Sequence, residues 1–144
     1  MPLVSLLLNV LWLVFGGVWM AAAWLVAAVI MALTIIGLPW ARSALTIAVY
    51  TLLPFGHSVV DRDPRGMGPV GFVGNLIWLL FAGWWLALGH LVTAAGLAVT
   101  IVGLPFAWAH LKLALLALWP IGKEVVPAEE LRRHGGFERY LGAR

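Results

Sequence analysis

The sequence predicts an all-α integral membrane protein of two tandem repeats, each a long tilted helix, a Gly-Leu-Pro break and a shorter helix. Three observations predict it. First, 63% of the 144 residues are hydrophobic and only 10% are charged, with a mean hydropathy of +1.01. A soluble domain carries about 45–50% apolar and about 25% charged residues, so this chain has too little polar surface to coat a soluble globule. Second, its apolar runs exceed the roughly 18 residues that indicate a membrane span. Third, a shift of 66 residues aligns residues 6–60 with residues 72–126 without a gap, and 24 of the 55 pairs are identical. Leu, Ala and Val recur by chance in apolar segments, so the rarer letters decide. Asn9 matches Asn75, Trp12 matches Trp78 and Trp19 matches Trp85; Gly37, Pro39, Pro54 and Gly56 match Gly103, Pro105, Pro120 and Gly122. Periods of this kind are the mark of duplicated architecture.

The chain therefore divides into a first membrane repeat (1–60), a polar linker (61–71), a second membrane repeat (72–126) and a polar tail (127–144). The first apolar stretch could imitate a signal peptide, but it lacks a basic n-region and has a counterpart in mid-chain, so it is read as part of the mature fold. Residues 6–36 would form a helix of about 46 Å, longer than the roughly 30 Å hydrocarbon core. It must tilt, protrude or bend, and Gly16-Gly17 is the place to bend. "TIIGLPWA" (34–41) and "TIVGLPFA" (100–107) then break the helix. Gly at a helix end and Pro at the next helix start is the expected signature, and Gly37, Pro39, Gly103 and Pro105 are the helix-break residues. The short run 39–53 would reach about 22 Å, a length that suits re-entrant or interfacial segments. In the tail, residues 128–133 can form a short helix with Glu129 and Glu130 early and Arg132 and Arg133 late, as the helix dipole prefers; Gly135 and Gly136 would end it.

Two topologies compete. In one, four segments enter the membrane, and N-terminus, linker and tail share a side. In the other, the short runs lie in the interface and two spans relate inverted copies. The four-segment reading is preferred. Arg62 and Arg65 in the linker, and Lys123, Arg132, Arg133, Arg139 and Arg144 at the end, suit a common cytoplasmic side. Arg42 and Lys112 make the short runs amphipathic and favour the interface.

Asn9, Trp12, Gly16 and Trp19, with Asn75, Trp78, Ala82 and Trp85, recur at i, i+3, i+7 and i+10, one helical face. The expected role of the asparagines is interhelical hydrogen bonding, with indoles near the headgroup belt; the sharper reading is a polar pathway. Gly17 with Ala21, and Gly83 with Ala87, are small-xxx-small pairs that would let helices pack closely, for instance the two long ones. The ionisable candidates for an ion path are Arg42, His90, His110 and Lys112. Charges inside a membrane cost about 2.5–3.5 kcal/mol on insertion scales, so each is weighed against snorkelling of Arg42 and Lys112 to headgroups and ordinary packing of the histidines. His90 replaces Trp24 and His110 replaces Ala44, so the copies have diverged there.

Much is excluded. There is no cysteine, hence no disulfide or thiolate chemistry. The histidines have no metal-ligand spacing, no phosphate-binding Gly-rich loop exists, and no serine has a His/Asp constellation. No enzyme, metal or cofactor is expected. The charge of +3 comes from only nine Lys and Arg residues without a dense basic face, so nucleic acid is not an expected partner.

"LNVLWLVFGG", "GLPWARS", "NLIWLLFAGWWLALGH" and "GLPFAWAHLKLALLALWPIGKEVV" resemble the YccF-type inner-membrane component family across residues 6–126. The resemblance implies a small multi-pass protein of the bacterial inner membrane with two copies of one module; it implies no reaction and no catalytic residue. The expected function is a structural or accessory membrane component in contact with the lipid bilayer, assembling as a homo-oligomer. The competing expectation is an anion-selective channel or transporter around the two breaks, where helix N-termini and the basic residues would favour a small anion.

Overall fold

The computed structural model describes residues 3–63 and 68–133; Arg65, Gly135, Gly136, Arg139 and Arg144 lie outside them. The first repeat opens with α1 (Leu3–Trp12), passes through a π-turn (Leu13–Gly17) and continues as α2 (Val18–Leu33). A tight joint leads to α3 (Leu38–Leu52), which folds back along α2. The strand β1 (His57–Asp61) follows. The second repeat repeats the order: α4 (Pro69–Trp78), a π-turn (Leu79–Gly83), α5 (Trp84–Ala98), α6 (Leu104–Leu118) against α5, and β2 (Lys123–Pro127). The predicted tail helix is α7 (Ala128–Arg133).

The all-α expectation needs one correction. β1 and β2 form a two-stranded antiparallel sheet, made of the "HSVVD" and "KEVVP" that follow the two Pro-x-Gly turns. Gly56 and Gly122 take φ of 96° and 91° there, a region open to glycine at little cost. Chain reversal releases each strand beside the other, and Val59 faces Val125, its own counterpart in the repeat.

The long helices do bend where expected. Phe15 leaves the helical region and Gly16 adopts φ 122°. The second repeat carries Ala82 at this position and makes its π-turn without a positive φ. Each π-turn inserts an extra residue into the helical register. In the first repeat that rotation splits the expected Asn-Trp-small-Trp face, with Trp12 fully buried and Trp19 78% exposed; in the second, Trp78 is fully buried and Trp85 stays partly buried against the core.

At each joint the threonine closes the turn. Thr34 Oγ1 donates to the Met31 carbonyl (2.7 Å) and accepts from Gly37 N (3.1 Å); Gly103 N donates to Thr100 Oγ1 (3.0 Å) in the second copy. A Cβ on Gly37 would lie 2.6 Å from the Met31 oxygen, and one on Gly103 2.0 Å from the Leu97 oxygen, so no larger residue fits. Outward, the joints are apolar: Ile35 is 79% and Ile101 87% exposed.

The repeats are related by an approximate twofold axis that passes between Trp24 and His90 and between Val59 and Val125. Each joint lies beside the other hairpin's base. Phe106, just past the second joint, packs on Phe15 and Phe55 (5.3 and 5.8 Å between ring centroids), and Trp40, just past the first, lies against Gly74. The combined helices Leu3–Leu33 and Pro69–Ala98 are long and apolar enough to cross a bilayer. The core between the hairpins holds Trp12, Trp24, Trp78, Met31, Leu86, Phe106 and Leu113.

Candidate functional site

The buried polar groups follow from how α3 and α6 end. Pro54 and Pro120 stop these helices, and a stopped helix leaves carbonyls without N–H donors. The missing partners come from the long helices. Asn9 Nδ2 donates to the Phe55 carbonyl (2.9 Å) while its Oδ1 accepts from Phe55 N (3.0 Å), so one amide serves both backbone groups of one residue. Trp12 Nε1 donates to the Thr51 carbonyl at 2.7 Å, the oxygen that Phe55 N would have served had the helix continued. The second repeat duplicates the device: Asn75 with Ile121 (3.1 and 3.0 Å) and Trp78 with Ala117 (2.7 Å). Each asparagine thus ties a long helix to the turn that follows its return helix. The indoles of Trp12 and Trp78 are caps in the core, not headgroup anchors.

This device explains the paired glycines. A Cβ on Gly17 would stand 2.3 Å from the Trp12 ring, so Gly17 is the seat on which the indole lies. Gly83 plays the same part for Trp78 (3.1 Å) and also meets the Ala117 carbonyl at 2.9 Å. The close helix approach expected at these glycines therefore occurs in the second copy, but to the return helix α6 rather than between the long helices. Ala21 and Ala87 are buried beside them. The long helices meet instead near Met20 and Gly89.

At the axis the copies differ. Trp24 Nε1 donates to His90 Nε2 at 3.0 Å, and His90 Nδ1 lies 2.9 Å from His110 Nδ1. An indole N–H can only donate, so His90 Nε2 accepts and its proton resides on Nδ1. That proton is donated to His110 Nδ1, which places the proton of His110 on Nε2; the network assigns both tautomers. All three side chains are inaccessible to solvent. His110 Nε2 has no hydrogen-bond partner among the described residues, although the Phe15 carbonyl of the π-turn faces that ring. The His110 ring also packs on Trp12 at 4.3 Å, and Trp24 stacks on Trp78 at 5.4 Å. On the Gly16 side the relay is tightly packed: a Cβ on Gly16 would lie 3.3 Å from His110 Nε2 and 3.2 Å from Thr93.

The structure does not bring the basic candidates to this relay. Arg42 and Lys112 are exposed on α3 and α6, and Lys112 Nζ stands 5.7 Å above the Trp108 ring. Among the described residues no cluster of three or more His, Asp or Glu side chains could hold a metal. Sequence reasoning missed the Asp61–Lys123 ion pair (2.6 Å) across the sheet, because its partners sit in segments read as linker and turn.

Two helical hairpins with a lipid-compatible exterior, joined about a buried polar centre, define a small integral membrane protein built from one duplicated module. The chain belongs to the YccF family: the model of its inner membrane component domain matches residues 7–57 and again 73–123. Two curated relatives, each called inner membrane protein YccF, from Escherichia coli (strain K12) and Shigella flexneri, are 37% identical over 129 residues, covering 85% of this chain and 87% of theirs. No solved structure matches.

Proposed function

We propose that this inner-membrane protein is a structural or accessory component that associates with copies of itself, with both legs of each hairpin embedded and the sheet face toward the cytoplasm. One observation carries the reading: apart from His110 Nε2, the buried polar side chains of the Asn9 and Asn75 clamps and the Trp24–His90–His110 relay are spent on fixed hydrogen bonds within the fold. Such a core holds two hairpins in register and offers no open path. The exterior supports embedding, since α3 presents Leu45, Val49 and Leu52 and α6 presents Leu111, Leu115 and Leu118 outward. The basic residues at the strand ends, Arg62 and Lys123, fit a cytoplasmic face. The test is reconstitution of the full chain in liposomes, with anion flux and subunit counting by single-molecule photobleaching on the same vesicles. Background flux with two or more subunits per spot is expected. Flux above background that falls in a Lys112→Ala, Arg42→Ala variant would refute it in favour of a channel.

A further inference from the structure

Beside the sheet, α3 and α6 leave two adjoining cavities. The first, about 470 Å3, is mixed: Lys112, Lys123, His57, Ser58, Asp61 and Tyr50 give it a polar side, and leucines of α6 with Trp119 wall the rest. The second, about 540 Å3, is apolar, walled by Leu45, Val49, Leu53 and Val125; it shares Tyr50 and His57 with the first. The charges decide the depth at which they lie. Asp61, Lys123 and Glu124 on the strands could not be held in hydrocarbon at a cost of about 2.5–3.5 kcal/mol each, so the sheet marks the headgroup level. The first chamber opens at that level and the apolar chamber lies on the lipid-facing surface of α3, where Val49 is exposed.

We infer that the paired cavities bind one anionic glycerophospholipid, its phosphodiester on the polar side of the first chamber and an acyl chain along Leu45, Val49 and Leu53. The charge balance fits. Asp61 neutralises Lys123 at 2.6 Å, and Lys112 has no ion-pair partner among the described residues, leaving one net positive charge for a singly charged phosphodiester. A zwitterionic lipid would bring its own ammonium against Lys112. Basic pockets beside membrane helices select anionic headgroups in this way. The inference rests on the embedded orientation but not on self-association.

The experiment uses the full chain, purified in detergent, delipidated and offered phosphatidylglycerol or phosphatidylcholine in mixed micelles, with bound lipid read by native mass spectrometry. The wild type should retain phosphatidylglycerol preferentially. Lys112→Ala should lower that retention about fivefold, the effect of one surface cation, while Lys112→Arg should keep it. Val49→Trp, which fills the apolar chamber from an exposed position, should reduce retention as well. Equal retention of the two lipids, or full retention by Lys112→Ala, would overturn the inference. So would displacement of the lipid by inorganic phosphate at equal concentration, which would mark a site for the free anion.

Discussion

The indole N–H of Trp24 fixes the protonation pattern of two histidines at once, because it accepts nothing and forces His90 to accept. Trp24→Phe keeps most of the ring and its stacking on Trp78 but removes the donor. His90 Nε2 would then be buried without a partner. Loss of a partner to a buried polar atom costs about 1–3 kcal/mol, so a drop of that size in unfolding free energy in detergent is expected. An unchanged midpoint would mean that the relay has no stabilising role. His90 and His110 were legible in the sequence as diverged positions, His for Trp24 and His for Ala44. Their contact was not, since twenty residues and a whole joint separate them; only the fold-back of α6 on α5 brings them within 2.9 Å.

Among the elements, the joints and hairpins could be read from the repeated Gly-Leu-Pro, because glycine and proline act locally. The bend was legible for the same reason at Gly16. The π-turns were not; they directly follow Trp12 and Trp78, whose indoles reach carbonyls on the return helices far along the chain. The sheet was hidden as well, since each five-residue strand finds its partner only in the other repeat. A contrast of glycines tests the seating argument. Gly17→Ala would push a methyl into the Trp12 ring, whereas the site of Gly96 has nothing within 4 Å. Overpacking of a filled core costs about 1–3 kcal/mol. Thermal unfolding should therefore show a clear loss for Gly17→Ala and a neutral or slightly favourable change for Gly96→Ala, alanine being the better helix former by about 1 kcal/mol. Equal behaviour of the two variants would reject the seat.

On the scale of the molecule, the axis through Trp24 and His90 has a consequence for recognition between the repeats. Two first repeats paired about that axis would set one Trp24 indole against another, donor against donor. They would also lack the Asp61–Lys123 bridge, whose positive partner belongs to the second repeat. The first repeat is therefore a cognate for the second and a poor mate for itself. Severed between the repeats and co-expressed with different tags, they should co-purify as a one-to-one heterodimer, while differently tagged copies of the first repeat should not recover each other. What joins the halves is a handshake of unlike side chains, and the linker merely keeps the two hands near.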